Sequence, residues 1–191
     1  VGKGIDVSEH NGVIDWEAVK NSDVDYAIIR VGYGSNYTQY DDDYWTRNAQ
    51  ECTRLGIPFG VYIYSYADSV EDAASEADHV LRLISGYNLS YPVYYDLEET
   101  NIINKVGKGT ITEIAKTFCG RMQNAGYEVG VYANLNWWNN YLTDGVFNNW
   151  HRWVAQYNVT CDYGGKYHMW QCTSSASVPG INGNVDVNFF Y

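Results

Sequence analysis

The sequence predicts an α/β fold in which a parallel sheet of eight strands closes into a barrel. Five strand-like segments are each followed by helical sequence or a loop, and three further strands come last with little helix between them. The alternative for such a pattern is an open doubly wound sheet. No glycine-rich phosphate loop follows the first strand, which counts against it.

Residues 4–10 are short and apolar and read as the first strand, and 15–21 read as a short helix. Residues 26–31 form the second strand. The trio Asp41, Asp42 and Asp43 then opens a helix, whose start favours negative charge, and Gly56 follows its end. Residues 58–66 are the third strand. Ser69 caps the next helix, whose Ala73, Ala77, Val80, Leu81 and Ile84 keep helical spacing, with Gly86 just beyond. Residues 91–97 form a fourth strand, 110–125 a helix ending before Gly126, and 128–133 a fifth strand. After that, 153–157, 167–172 and 185–190 read as strands, with turns at Gly164-Gly165 and 179–183. No linker, repeat or low-complexity stretch interrupts the chain, so residues 1–191 count as one domain.

Composition narrows the partners. With 23 acidic against 12 basic residues the net charge is −11, which repels phosphate backbones and anionic membranes, and no Lys/Arg cluster offsets it. The longest apolar runs, such as 59–64, are too short to cross a bilayer. Val1 enters a strand-like segment almost at once, so a leader peptide either has been removed or lies outside this sequence. Nothing suggests more than a monomer. The 19 Tyr and 7 Trp offer flat apolar faces with polar edges, which suit sugars; a tyrosine-rich barrel interior accounts for them equally well. Cys161 and Cys172 flank Gly164-Gly165 in what reads as a hairpin, so a pairing across it is geometrically allowed, and it would fit secretion. Cys52 and Cys119 fall in helical patterns and read as buried thiols. There is no C-x-x-C.

Three strand ends carry acids: Asp6 on the first, Asp96 and Glu98 on the fourth, Asp186 on the eighth. Reactive groups of a parallel barrel gather at that rim, and the first and eighth strands become neighbours on closure. Asp6 and Asp186 are therefore expected side by side, facing the fourth strand across the mouth. Residues two apart on a strand share a face at roughly 6.5–7 Å, so Asp96 and Glu98 can reach one substrate. Neighbouring negative charge raises the proton affinity of Glu98, and a glycosidase needs one protonated and one ionised carboxyl. Asp6 or Asp186 taken alone reads as a cap or turn residue; the joint placement is what suggests a site. Clustered acids also suit a divalent metal. His10, His79, His151 and His168 give a transition metal little help, since only His10 lies near the mouth.

In order and spacing, several stretches resemble the family 25 glycoside hydrolases, the Chalaropsis-type lysozymes. They are Gly4-Ile5-Asp6-Val7-Ser8, Gly12, Ile14-Asp15-Trp16, Ala27-Ile28-Ile29-Arg30, Pro58-Phe59-Gly60-Val61-Tyr62 and Tyr95-Asp96-Leu97-Glu98. Gly130-Val131-Tyr132, Trp153-Val154-Ala155-Gln156-Tyr157, Trp170-Gln171 and Val185-Asp186-Val187-Asn188 continue the series. The resemblance implies one catalytic domain, an irregular TIM-like barrel of the (β/α)5(β)3 kind. It also implies a secreted muramidase that cleaves the β-1,4 bond between N-acetylmuramic acid and N-acetylglucosamine in peptidoglycan glycan strands, with no metal or organic cofactor. It maps the general acid onto Glu98, with Asp96, Asp6 and Asp186 in support. Attack by the substrate's acetamido group oriented by Asp96 and direct attack by a carboxylate both remain open.

Tyr62, Tyr64 and Tyr132 are expected to line the sugar groove, although whichever of Tyr62 and Tyr64 points outward would be packing. Trp137 and Trp138 read as a loop pair, one stacking on a sugar. Arg30 is expected to pair structurally with one of the acids. Many members of this family carry a further wall-binding module; none follows Tyr191, so the sequence reads as the catalytic domain of a longer protein. Two rivals remain. A chitin-type glycosidase is disfavoured because Tyr91, Val93 and Tyr94 stand where its longer acidic run would begin, and a sugar-binding module without catalysis would not need all four acids.

Overall fold

Strand pairing runs without a break from the first strand through the eighth and back to the first. In the computed structural model, which describes residues 1–191, the strands are β1 (Gly2–Val7), β2 (Tyr26–Tyr33), β3 (Phe59–Tyr64), β4 (Val93–Asp96), β5 (Val129–Asn134), β6 (His151–Ala155), β7 (Met169–Ala176) and β8 (Val185–Phe190). Helices α1 (Trp16–Lys20), α2 (Trp45–Leu55), α3 (Val70–Ile84), α4 (Thr100–Asn124) and α5 (Leu135–Asn140) follow the first five strands in turn. This is the expected five-plus-three barrel. No helix is long and apolar enough to cross a membrane.

The sheet is not wholly parallel. Strands β1 to β7 pair in parallel, but β8 runs antiparallel to both β7 and β1. The expected hairpin around Gly164-Gly165 is also corrected: β6 and β7 are parallel neighbours joined by a crossover loop, and Cys161 and Cys172 are both free thiols. Cys52 and Cys119 are buried thiols, as their helical positions imply.

Local chemistry sets the helix ends. Asp15 caps α1 by accepting from the Ala18 amide, and Ser69 caps α3 by accepting from that of Asp72. Gly56 closes α2 in the left-handed conformation, φ 69°. The acidic trio does not form the first turn of α2, which begins at Trp45 after Tyr44. Asp41 instead meets His79 and Arg82, and Asp42 is buried against Arg30. Helix α4 is longer than expected, with its regular geometry interrupted at Gly107, φ 77°. Trp137 and Trp138 are not a loop pair but lie in α5, whose cap Asn134 accepts from the Trp137 amide.

Two apolar regions result. The larger packs the outer strand faces against the helices; the smaller fills the barrel with Tyr26, Ile28, Tyr94, Trp153 and Met169. Rings of this size fit because glycines face them from adjacent strands. A Cβ on Gly4 would stand 2.2 Å from the Tyr26 ring, and one on Gly130 would stand 2.6 Å from Tyr94 and 2.8 Å from His151. Tyr94 is wholly buried and has no space to yield.

Gly130→Ala is therefore expected to destabilise the protein by about 1–3 kcal/mol in denaturant unfolding, as overpacking does. Gly109→Ala, with open space around the added methyl on α4, should leave stability unchanged or raise it slightly.

Candidate active site

The side chains facing inward at the upper rim are polar where the barrel floor is aromatic. Asp6 stands near the end of β1, directly opposite Asp186 in the antiparallel β1–β8 register. Because β8 runs downward, Asp186 reaches this rim from the start of its strand, not from its end. Asp96 is the last residue of β4, and Glu98 follows just beyond it. All four acids line one cavity of about 340 Å³, together with Tyr62, Tyr64, Tyr132 and Arg30. Tyr62 and Tyr64 are two apart on β3 and both face this cavity, so neither points outward as packing.

Asp6 is 5% exposed, and its Oδ2 accepts two amide hydrogen bonds, from Gln171 Nε2 and Asn188 Nδ2, both at 2.8 Å. The direction of each amide is set from behind. The Trp153 indole N–H donates to Asn188 Oδ1 at 2.8 Å, and the Tyr132 and Tyr157 hydroxyls donate to Gln171 Oε1 at 2.7 and 3.0 Å. An indole nitrogen can only donate, so Asn188 must turn its NH2 group to Asp6. Burial and the adjacent Asp186 carboxylate hold the Asp6 carboxyl well above the usual range, and burial raises Asp186 as well. With Oδ2 taken by the two amides, a proton on this pair lies between Asp6 and Asp186.

Asp96 and Glu98 form the second pair, two residues apart at the end of β4 and lining the same cavity. Asp96 is 4% exposed and its buried Oδ1 has no hydrogen-bond partner, whereas Glu98 stands half-buried further out. Burial and the facing Glu98 charge raise the Asp96 carboxyl strongly; burial raises Glu98 less, since Asp96 lowers it while Glu99 and Asp186 raise it, so the pair's proton rests on Asp96. The cavity thus holds two carboxyl pairs of raised proton affinity, one fixed by amides and one without internal donors. The second can therefore give a proton away.

Arg30 lines the cavity but pairs with none of the four acids. Its Nε donates to Asp42 and its Nη2 to Glu9, both at 2.9 Å. Trp137 does not line the groove: its ring is 1% exposed within α5, which corrects its expected stacking role. Four other contributors escaped the sequence reading. Asn188 was recoverable, since it lies two residues after Asp186 and so shares its face. Gln171 and Trp153 act by orienting other groups, which no spacing records.

Glu76 on α3 is the fourth. It is 1% exposed and touches Ser65 Oγ at 2.7 Å and the Tyr95 hydroxyl at 2.5 Å, while those two lie 3.1 Å apart. It also accepts the Tyr66 amide. Both hydroxyls donate to the same oxygen, Glu76 Oε1, while burial opposes the charge of the carboxylate. Burial accordingly pushes Glu76 up to about 7.

The sequence model described as Glycosyl hydrolases family 25 matches residues 5–181, which takes in the second half of β1, all of β2 to β7, and three of the four rim acids, Asp6, Asp96 and Glu98. The chain belongs to glycosyl hydrolase family 25. It is 32% identical to an autolytic lysozyme of Clostridium acetobutylicum, over 98% of this chain and 55% of that protein. It is 27% identical to lysozyme M1 of Streptomyces globisporus, over 98% of this chain and 67% of that protein. Among solved structures, the modular autolysin LytC of Streptococcus pneumoniae, in complex with a synthetic peptidoglycan ligand, superposes with a TM-score of 0.89 at 37% identity, over all of this chain and 46% of that one. This family 25 chain spans about half the length of those first relatives.

A raised folded-state pKa stabilises the fold at low pH, and that stabilisation is lost as pH rises through it. For Glu76 the loss falls between about pH 4.5 and pH 7. Stability should decline over that window, and Glu76→Gln should remove up to about 3 kcal/mol of the decline. Urea unfolding of both proteins across the window measures the difference; parallel curves would contradict the raised Glu76.

Proposed function

We propose that this family 25 chain is a muramidase acting outside the cell, hydrolysing the β-1,4 bond between N-acetylmuramic acid and N-acetylglucosamine in peptidoglycan, with Glu98 as general acid. The observation that carries the reading is the convergence of Asp6, Asp96, Glu98 and Asp186 on one open cavity at the barrel rim. Two relatives named as lysozymes support it, as does the pneumococcal autolysin solved with a peptidoglycan ligand.

Chemically, the pair's proton, which rests on the more deeply buried Asp96, passes to Glu98, and Glu98 gives it to the glycosidic oxygen as the bond to the anomeric carbon breaks. Asp96, left as the ionised partner, accepts the N–H of the substrate's acetamido group and turns its carbonyl oxygen toward that carbon. Bond formation there gives a cyclic intermediate. Water then attacks the anomeric carbon, losing a proton to Glu98, and the ring opens with retained configuration. Asp6 and Asp186 contribute negative potential facing the developing positive charge.

The test is a reducing-end assay on purified peptidoglycan, with borohydride reduction and mass spectrometry of the products. New muramitol ends are expected, formed roughly 10²–10⁴-fold more slowly by Glu98→Gln. Glucosaminitol ends, or a Glu98→Gln variant of near-normal activity, would overturn the assignment.

A further inference from the structure

Five tryptophans give their indole N–H to an acceptor inside the protein. Trp16 donates to Asn48 Oδ1, Trp45 to the Leu83 carbonyl, Trp138 to the Trp153 carbonyl, Trp153 to Asn188 Oδ1 and Trp170 to the Gln156 carbonyl, all at 2.8–3.2 Å. Trp137 departs from that pattern: it is 1% exposed, and its Nε1 has no acceptor in the protein. The rest of the residue is satisfied. Its backbone amide donates to Asn134 Oδ1, its carbonyl accepts from the Tyr141 and Leu142 amides, and its ring meets the Tyr141 ring edge-on. An indole nitrogen can only donate, and a buried donor without a partner is costly.

Trp137 borders a second, small cavity of about 10 Å³, which Glu98 borders as well. Its other polar neighbours are Ser65 and Glu99, and apolar side chains complete the wall, Ala67 and Leu97 among them. Ser65 Oγ is already engaged, donating to Glu76 and accepting the Ala67 amide. Glu99 accepts the Tyr64 hydroxyl on one oxygen and has the other to spare. The space thus joins one unpartnered donor to two carboxyl groups. A volume of this size holds a single water molecule. Water matches the groups on the wall: it accepts one hydrogen from the indole and has two to give to carboxylates. A cation would face the indole hydrogen, and no larger molecule fits.

We propose that Trp137 is a positioning residue for the general acid, acting through a water seated in this cavity that accepts the indole N–H and donates to Glu98. The proposal rests on the muramidase reading and adds a residue to it. The charged groups that act on Glu98 are all carboxyls, those of Asp96, Glu99 and Asp186. They set its proton affinity but give its carboxyl no fixed direction. With the pair's proton resting on Asp96, Glu98 is the ionised member and takes a donor. Glu98 borders both this cavity and the open one at the rim. A donor from behind holds one of its oxygens, which leaves the other for the glycosidic oxygen. Because α5 fixes Trp137, the acid is aligned from a rigid element before any sugar binds.

The experiment is the pH profile of kcat and KM on peptidoglycan for the wild type, Trp137→Phe and Ala67→Val. Trp137→Phe keeps an aromatic ring and loses the N–H; Ala67→Val leaves Trp137 intact and fills the cavity. In both variants kcat should fall by about 10–10²-fold with KM little changed. The alkaline limb of the profile should move to higher pH, because the carboxylate has lost a donor. Should Trp137→Phe not fold, Ala67→Val carries the test. A crystal structure of the wild type should place a water within hydrogen-bond distance of Trp137 Nε1 and a Glu98 oxygen. Less folded protein, with kcat per folded molecule and the alkaline limb unchanged in either variant, overturns the positioning role. So does a cavity without that water. If the wild type releases no new ends, the muramidase reading fails separately. NMR titration of the Glu98 carboxyl in the same proteins then decides, an unshifted Glu98 counting against the proposal.

Discussion

Asp6 is the point from which the rest of the site is organised. A carboxyl that is 5% exposed cannot be tolerated in a barrel mouth unless its oxygens are satisfied, and two side-chain amides satisfy one of them. Each amide is oriented by a donor from another strand: an indole on β6 for Asn188, a phenol on β5 for Gln171. Five strands thus meet in one hydrogen-bonded unit across the barrel axis. Because its amide donors leave only one side of Asp6 free, the proton shared with Asp186 has a defined place. The pair at Asp96 and Glu98 has no such donors and keeps its proton mobile.

The irregular strand is what permits this arrangement. Were β8 parallel to its neighbours, Asp186 near its start would lie at the floor, far from the other acids. Running downward, β8 brings Asp186 to the rim opposite Asp6 and sends Phe190 to the aromatic floor. That floor is filled by tyrosine rings seated over glycines on adjacent strands, so polar chemistry is confined to the upper layer. Glu76 extends the same logic outside the barrel: a buried carboxyl joined to Ser65, Tyr66 and Tyr95 couples α3 to the ends of β3 and β4.

Much of this was legible from residue spacing. Hydrophobic periodicity and caps placed the strands and most helices, because Ser69, Asp15, Gly56 and Gly126 punctuate them chemically. The acids at strand ends converge as closure of the barrel requires. What spacing could not reveal were interactions between residues distant in sequence. Asp42 looked like a helix-start charge, and only the fold sets it against Arg30 twelve residues earlier. Trp137 and Trp138 looked like loop residues because a six-residue helix leaves too short a pattern. The crossover between β6 and β7 was read as a hairpin because two glycines between strands signal a turn without specifying strand direction. Gln171 and Trp153 fall in stretches that resemble the family, but their orienting roles run through partners on other elements and leave no mark in spacing; Glu76 is marked by no local pattern.

The central claim is that four carboxyls at one rim hold their protons as two pairs. Carbon-detected NMR titration of the Asp and Glu side-chain carboxyls, assigned with Asp6→Asn, Asp96→Asn, Glu98→Gln and Asp186→Asn, tests it most directly. The account predicts that each pair retains one proton well above the ordinary carboxylate range of about 3.5–4.5, and that substitution of either member shifts its partner's titration. Four carboxyls titrating independently within the ordinary range would contradict it.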